Sequence, residues 1–242
     1  MRKARITNNT GQKAQAVAKP VRKLRIDDLE TIEPLTINQN KARTAYNKDK
    51  NLVLHGYPGT GKTFLALAYG LAEVLDPSST YKKLVIMRSV VPSRDIGFLK
   101  GDEKDKVEVY KAPYKDLCEE LFGISSAFES LEAQNAISFE VTSFIRGRSI
   151  NNGIIVVDEC QNMTFHELDS IITRIGNNTK VIFCGDYRQT DFTKEADKIG
   201  LKNFMKILKE MGEFEKIEFD AHDIVRSELV KAYILKKIEL GF

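Results

Sequence analysis

Short apolar runs alternate with amphipathic stretches along most of this chain. Five apolar runs predict β-strands, at Asn51–His55, Leu84–Met87, Ile154–Val157, Val181–Cys184 and Phe214–Phe219. Amphipathic stretches predict helices at Asn38–Asn47, Lys62–Leu75, Phe165–Ile175, Lys202–Met211 and Ser227–Leu240. In the last of these, Val230, Ile234 and Ile238 recur every four residues and predict one buried stripe. Apolar strands separated by helices favour an α/β fold, in which helices flank a parallel sheet.

The rest of the chain divides into a basic N-terminal segment and one less regular region. Residues 93–152 lack a clear period and indicate an insertion or a loop-rich surface beside the sheet, and no internal repeat is present. We therefore predict a single α/β domain over residues 31–242, preceded by a flexible basic arm over residues 1–30.

The predicted arm concentrates positive charge. Eight basic residues and no acidic residue lie between Met1 and Arg25, so the remainder carries a net charge of −5 although the whole chain carries +3. Such a segment can bind a nucleic-acid backbone through counterion release. It can equally be a solvated terminus without a partner, and the sequence leaves both interpretations open.

The composition argues against a membrane protein and against a disulfide scaffold. The longest uncharged apolar stretch, Phe64–Ala72, has nine residues, whereas a membrane-spanning helix needs ~20. The charged N-terminus also lacks the apolar centre of a secretory signal. Three widely spaced cysteines, Cys118, Cys160 and Cys184, suit a reducing compartment. We therefore expect a cytoplasmic protein without a membrane segment.

The strongest motif lies between the first predicted strand and the helix that follows it. The segment Gly56-Tyr57-Pro58-Gly59-Thr60-Gly61-Lys62-Thr63 matches the phosphate-loop pattern G-x-x-x-x-G-K-[ST]. Its glycines allow backbone N–H groups to surround a phosphate at a helix N-terminus. In such loops the lysine reaches the β- and γ-phosphates and the threonine hydroxyl binds Mg²⁺. The segment therefore predicts an ATP–Mg²⁺ site.

A second polar cluster follows the predicted strand at Ile154–Val157. Asp158 comes at the end of this apolar strand, where it can bind Mg²⁺ directly or through a water. Glu159 follows it and is placed to polarise a water for attack on the γ-phosphate. An Asp-Glu pair favours hydrolysis over a kinase reaction, in which the phosphoryl group passes to an acceptor.

A third cluster follows the strand Val181–Cys184. Ligands bind at the carboxyl ends of parallel strands, so Asp186 or Gln189 could sense the γ-phosphate or position water. A polar turn with no such role has the same pattern.

Several motifs in order resemble the PhoH-like family of P-loop ATPases, relatives of the superfamily 1 helicase core. The motifs are Gly56–Thr63, Ile96–Asp102, Arg146–Arg148, Val157–Thr164, Thr173–Gly176, Gly185–Asp191 and Asp223–Ser227. The resemblance extends from about Leu35 to Arg226 and implies a RecA-like P-loop NTPase core. Stand-alone versions of this size resemble those encoded by bacteriophages.

The resemblance implies roles that spacing does not supply. Gln39 is similar to the glutamine that reads adenine, and Gln161 to the glutamine that links the nucleotide to nucleic-acid contact. Arg226 resembles the late arginine that stabilises transition-state charge, at a neighbouring subunit's site. Gln39 and Arg226 also suit plain surface positions. Four further arginines could bind phosphate of nucleotide or nucleic acid: Arg88, Arg146, Arg148 and Arg174.

The resemblance also implies assembly. Superfamily 1 helicases place ATP between two lobes, whereas this sequence has one phosphate loop and one Asp-Glu strand. A ring of identical subunits, a homohexamer, would supply the missing surface.

Two functions remain open from the sequence. The first is a Mg²⁺-dependent ATPase that acts on RNA or single-stranded DNA as a helicase-like ring. The second is a nucleotide-dependent structural ring or switch that binds protein partners without translocating, which the charge of −5 outside residues 1–25 favours. Four aromatic residues are candidates for stacking on bases: Tyr110, Tyr114, Phe139 and Phe144.

Overall fold

The centre of the protein is a six-stranded sheet in which all paired strands are parallel. The structure, a computed structural model, describes residues 22–89, 103–142, 149–188 and 195–240. The strand order is β3-β2-β4-β5-β1-β6. The strands are β1 (Asn51–Gly56), β2 (Lys83–Arg88), β3 (Ile137–Val141), β4 (Gly153–Asp158), β5 (Thr179–Gly185) and β6 (Phe214–Phe219).

Seven α-helices lie within the described ranges. They are α1 (Ile37–Asn47), α2 (Lys62–Leu75), α3 (Glu103–Phe122), α4 (Ala127–Ala133), α5 (Phe165–Ile172), α6 (Glu195–Met211) and α7 (Glu228–Glu239). None of the helices in these ranges is long and apolar enough to cross a membrane.

Two apolar layers cover the two faces of the sheet, because successive side chains on a strand point in opposite directions. Leu52 and Leu54 of β1 pack on the face that carries α1 to α4. Val53, between them, packs on the opposite face with α5 and α6. The predicted α/β fold with helices flanking a parallel sheet is therefore confirmed.

The carboxyl ends of β1, β5 and β4 meet at one edge of the sheet. β5 pairs with both of the other strands, and α2 crosses them on its way from β1 to β2. The polar residues that follow these three strands are consequently neighbours in space, although up to about 130 residues separate them in the chain.

All five predicted strands are present, but three elements were not predicted. β3, α3 and α4 occupy the segment that we expected to be irregular. Two predicted helices also differ in extent, since α5 ends at Ile172 and α6 begins at Glu195.

The prediction of a buried stripe on the last helix was wrong. No residue of α7 is buried, and Val230 is 42% exposed. Leu229 and Tyr233 are 81% and 69% exposed. Ile234 and Ile238 of the predicted stripe are half-buried, whereas Leu229 and Tyr233, which lie beside the stripe, form an apolar helix face that the rest of the described chain leaves uncovered.

The packed region begins before the predicted boundary at residue 31. Leu24 is buried in the core, and the backbone N–H of Glu30 donates to the carbonyl oxygen of Leu121 at 2.9 Å. A short 3-10 helix covers Ile26–Asp28. The predicted arm is therefore too long at its carboxyl end, and its residues 1–21 lie outside the described ranges.

Candidate nucleotide-binding site

The phosphate loop connects β1 to α2 at the carboxyl edge of the sheet. Gly56 is required there because a Cβ atom would lie 1.9 Å from the carbonyl oxygen of Phe219 on β6. Gly59 and Gly61 have φ angles of +75° and +81°, the left-handed region that favours glycine. The neighbouring strand and the backbone conformation together explain the glycine pattern of the motif.

Lys62 lies inside the loop. Its Nζ donates to the carbonyl oxygens of Gly56 at 2.8 Å and Tyr57 at 2.7 Å, and to Thr60 Oγ1 at 3.3 Å. Burial lowers the pKa of Lys62, while the carboxylates of Asp186, Glu159 and Asp158 oppose this. The hydrogen-bond partners of the Lys62 ammonium are thus uncharged oxygens. Its positive charge remains available to attract a bound anion.

Thr63 and Asp158 meet across the site. Thr63 Oγ1 donates to Asp158 Oδ1 at 2.7 Å, and Tyr114 Oη donates to the other carboxylate oxygen, Oδ2, also at 2.7 Å. Tyr114 comes from α3 and is 1% exposed. Asp158 is therefore held at both oxygens, one by the phosphate-loop helix and one by α3.

Arg88 lies at the end of β2, next to this carboxylate. Its guanidinium lies 5.8 Å from the ring centroid of Tyr110, and its side chain lines the same cavity as Tyr114 and Asp158. Although burial opposes it, the balance of contacts with Tyr114 and Asp158 raises the pKa of Arg88. Two of the four arginines predicted to bind phosphate, Arg88 and Arg174, lie within the described ranges, and of these Arg88 lines the candidate nucleotide cavity.

Glu159 begins a chain of contacts that reaches β5. It has a left-handed backbone, φ 51°, and starts the short 3-10 helix Cys160–Asn162. Gln161 Nε2 donates to Glu159 Oε2 at 2.5 Å, and Gln161 Oε1 accepts from the backbone N–H of Asp186 at 3.2 Å. The amide of Gln161 thus connects the ends of β4 and β5.

The two carboxylate oxygens of Asp186 differ in their hydrogen bonds to the described residues. Its Oδ1 accepts from the backbone N–H and the Nε of Arg188 at 3.2 and 3.1 Å. Its Oδ2 is buried and has no hydrogen-bond donor within the described ranges. Asp186 is also one of the residues that line the nucleotide cavity.

Arg226 lies beside the phosphate loop of its own chain. The N–H of Val225 donates to the carbonyl oxygen of Gly59 at 2.9 Å, and a Cβ on Gly59 would lie 2.7 Å from Arg226 Cγ. Since Arg226 lines the same cavity as Lys62, it can reach a phosphate without a second subunit. The expectation that it serves only a neighbouring subunit's site is therefore not required by this geometry.

Gln39 lies behind the loop and does not line the cavity. It is 3% exposed, and its Nε2 donates to the carbonyl oxygen of Thr60 at 3.1 Å. Its Oε1 accepts from the backbone N–H of Leu35 at 2.7 Å. Both ends of the amide therefore hold protein backbone, and the predicted role in reading adenine stays a prediction.

These residues surround a cavity of about 800 Å³. Its walls include the phosphate-loop residues Pro58, Gly59, Thr60, Gly61, Lys62 and Thr63, together with Arg88, Asp158, Glu159, Asp186 and Arg226. Gly56 and Tyr57 contribute through their carbonyl oxygens to Lys62. The volume is of the size that small-molecule sites have in proteins.

The donor atoms fit a Mg²⁺–nucleotide complex. Mg²⁺ binds hydroxyl, carboxylate, water and phosphate oxygens, and Thr63 Oγ1 and Asp158 Oδ1 converge within 2.7 Å of each other. The ammonium of Lys62 and the guanidinium groups of Arg88 and Arg226 supply positive charge around the phosphate position. These two oxygens are therefore the candidate metal ligands.

Several predicted site residues lie elsewhere or outside the described ranges. Arg174 follows α5 at the opposite edge of the sheet, where its carbonyl oxygen accepts from Ile150 N, so it cannot contact nucleotide phosphate. Tyr114 cannot stack on a base because its ring is buried against Phe139, 5.4 Å away. Four predicted residues lie outside the described ranges: Phe144, Arg146, Arg148 and Gln189.

A comparison with protein-family models matches residues 31–238 to the family described as PhoH: PhoH-like protein. Protein PhoH2 of Bacillus subtilis (strain 168) is 40% identical over 166 residues, which cover 66% of this chain and 37% of that protein. A PhoH-like protein of the same organism is 31% identical over 206 residues, covering 85% of this chain and 63% of that protein. The chain thus spans less than two thirds of the length of either relative.

Among solved structures, the large terminase of a thermophilic bacteriophage, in complex with ADP, has the same fold. It aligns with a TM-score of 0.52 and 13% identity, covering 83% of this chain and 49% of that chain. The predicted RecA-like P-loop core is therefore confirmed.

Proposed function

Because the chain belongs to the PhoH-like protein family, we propose that it is a Mg²⁺-dependent ATPase that acts on RNA or single-stranded DNA as an oligomeric ring. The observation that carries the hydrolytic part is the convergence of Lys62, Thr63, Asp158 and Glu159 on one cavity. Action on nucleic acid and self-association rest on two other features, the contacts of Gln161 and the exposed face of α7.

The proposed reaction is in-line attack of water on the γ-phosphorus of ATP. Glu159 orients the water and accepts its proton, while the bond from the γ-phosphorus to the bridging oxygen breaks and ADP leaves. Lys62 and Arg226 stabilise the negative charge on the transferred group. Mg²⁺, when held by Thr63 and Asp158, supplies further neutralisation of the phosphate oxygens.

Action on nucleic acid is supported by the contact chain behind Glu159. Gln161 is bonded to Glu159 and to the backbone of Asp186. Loss of the γ-phosphate on hydrolysis would therefore alter the contacts of Glu159 and, through Gln161, those of Asp186 after β5.

Self-association into a ring is supported by the uncovered apolar face of α7. Leu229, Tyr233 and Leu240 are all more than half exposed. Apolar patches of this kind mark interaction surfaces. A second copy of the chain is the proposed occupant, because α7 directly follows Arg226 and thus lies next to the nucleotide cavity.

The alternative is a nucleotide-dependent ring or switch that binds protein partners without translocating. The net charge of −5 outside residues 1–25 favours this alternative. The two functions differ in whether nucleic acid changes turnover.

Steady-state ATP hydrolysis with Mg²⁺ tests the proposal, using the Glu159→Gln variant as its probe. The variant should lose turnover by about 10²-fold or more, because the group that activates water is gone. It should keep ATP affinity, since Lys62 and the loop are intact. Glu210→Gln, an exposed position on α6, is the matched control and should hydrolyse ATP like the unaltered protein.

The same assay, repeated with mixed-sequence single-stranded RNA and DNA at low and moderate salt, separates the two functions. Stimulation that fades with salt supports the nucleic-acid motor. Turnover that is indifferent to every strand supports the ring or switch. Rapid hydrolysis by Glu159→Gln would refute the assignment of Glu159.

A further inference from the structure

A second, basic cavity lies between α6 and the ends of β1 and β6. We call it the α6 cleft and define it by six polar lining residues: His55, Tyr187, Arg188, Lys198, Lys202 and Lys216. Its volume is about 410 Å³. None of the described residues that line it carries a carboxylate.

The positive charge of the α6 cleft comes from three elements. Lys198 and Lys202 lie four residues apart on α6 and therefore share one side of the helix. Lys216 projects from the edge strand β6 towards the same side of the sheet, because its neighbour Ile217 packs on the other face. Arg188 follows β5.

Part of this charge is unpaired within the described ranges. Arg188 pairs with Asp186, and Lys216 Nζ lies 4.0 Å from Glu218 Oε2. Neither Lys198 nor Lys202 forms an ion pair with another described residue. An anion could therefore enter without breaking an ion pair of either lysine.

The interior of the α6 cleft is apolar. Leu201 and Met205 of α6 form one wall, and the rings of His55 and Tyr187 lie 4.7 Å apart. His55 is uncharged, because its Nδ1 accepts from the N–H of Tyr187 and burial lowers its pKa to about 4. Cations around an apolar, aromatic interior suit a phosphate that carries a base and sugar better than a free phosphate.

The α6 cleft is connected to the nucleotide site through Arg188. Arg188 Nε donates to Asp186 Oδ1 at 3.1 Å, and its guanidinium lies 3.8 Å from the ring centroid of Tyr57 in the phosphate loop. Asp186 is in turn bonded through its N–H to Gln161, which contacts Glu159. A bound phosphodiester would compete with Asp186 for the guanidinium of Arg188. Through Gln161, this competition would change the contacts of Glu159.

We infer that the α6 cleft binds the backbone of a single-stranded nucleic acid, with Lys198 and Lys202 on its phosphates. The inference rests on the proposed function, whose target strand it locates on the molecule.

Fluorescence anisotropy with a labelled mixed-sequence single strand tests the inference. The variant is Lys198→Ala with Lys202→Ala, and the control is Lys206→Ala with Lys209→Ala. The control makes the same charge change at exposed positions of α6 that do not line the cleft. Thermal melting of each variant reports whether the fold is intact.

The cleft variant should bind about tenfold more weakly at low salt, and its salt slope should fall by about 1.4, since two phosphate contacts are lost. The control should bind like the unaltered protein. Equal loss in both variants, or in neither, would overturn the inference and leave the ATPase proposal standing. If the unaltered protein binds no strand, both the inference and the nucleic-acid part of the proposed function are refuted. The ATPase part of the proposed function is tested separately, by measuring ATP turnover of the unaltered protein.

A competition experiment distinguishes binding of a nucleic-acid strand from binding of free phosphate. Inorganic phosphate at low millimolar concentration and constant ionic strength should not displace the strand. Displacement under those conditions would show that the cleft is a free-phosphate site and would overturn the assignment to nucleic acid.

Discussion

At the scale of single residues, the site is defined by how firmly Asp158 is held. Thr63 and Tyr114 each donate to one of its oxygens at 2.7 Å. A carboxylate with both oxygens fixed keeps one orientation, which a metal ligand requires because Mg²⁺ demands near-ideal octahedral geometry.

Tyr114 is consequently predicted to be a positioning residue for the metal. Tyr114→Phe removes the donor to Asp158 Oδ2 and should weaken metal binding about tenfold, because hydrogen bonds to charged groups contribute about 1.5–3 kcal/mol. Titration of Mn²⁺ with ADP, followed by electron paramagnetic resonance, measures this without turnover. Tyr233→Phe, at an exposed position of α7, is the control, and equal Mn²⁺ affinity in both variants would contradict the role.

The phosphate loop and Asp158 could be predicted from the sequence, whereas the predicted role of Tyr114 in base stacking was wrong. The loop and the Asp-Glu strand have local signatures, since each is defined by spacing within a few residues. Tyr114 lies 44 residues from Asp158, and no local pattern pairs the two residues. The contacts of Gln39 and Arg226 with the loop are likewise long-range.

At the scale of elements, predictions failed where local pattern and tertiary environment disagree. α3 is highly charged and contains Pro113, and a proline in the interior of a segment argues against a helix. β3 is an edge strand with three half-buried residues, which weakens its apolar signal. The strands β2, β4 and β5 are covered on both faces, so their apolar runs are continuous and easily found.

The uncovered face of α7 leads to a prediction about assembly. Leu229→Gln with Tyr233→Gln should change the free energy of unfolding by only about 0.5 kcal/mol, because neither side chain is packed. The same pair should shift sedimentation towards smaller species if α7 contacts a second copy. Lys236→Gln with Glu239→Gln on the same helix is the control. Unchanged sedimentation of the apolar pair would remove α7 from the proposed ring interface.

At the scale of the whole molecule, three of the candidate catalytic groups lie together in one chain, and the fourth, Gln189, lies outside the described ranges. Lys62, Glu159 and Arg226 of one chain line one cavity. In the proposed ring, these three groups would act on ATP without a contribution from the neighbouring chain.

Mixing two inactive variants tests this arrangement. Arg226→Ala should lower turnover by about 10³-fold or more if the arginine stabilises the transition state. Mixed with Glu159→Gln, it should stay inactive, because each chain still lacks one group of its own site. Restored hydrolysis in the mixture would show that Arg226 acts on a neighbouring chain.

The position of β1 has a consequence for the order in which the protein forms during synthesis. β1 pairs only with β5 and β6, which begin at Thr179 and Phe214. A ribosome that adds about 5–20 residues per second therefore leaves β1 without a partner for on the order of ten seconds. The phosphate loop needs Phe219 against Gly56 and Val225 on Gly59. Translation must pass residue 226 before ATP can help the nascent chain to fold.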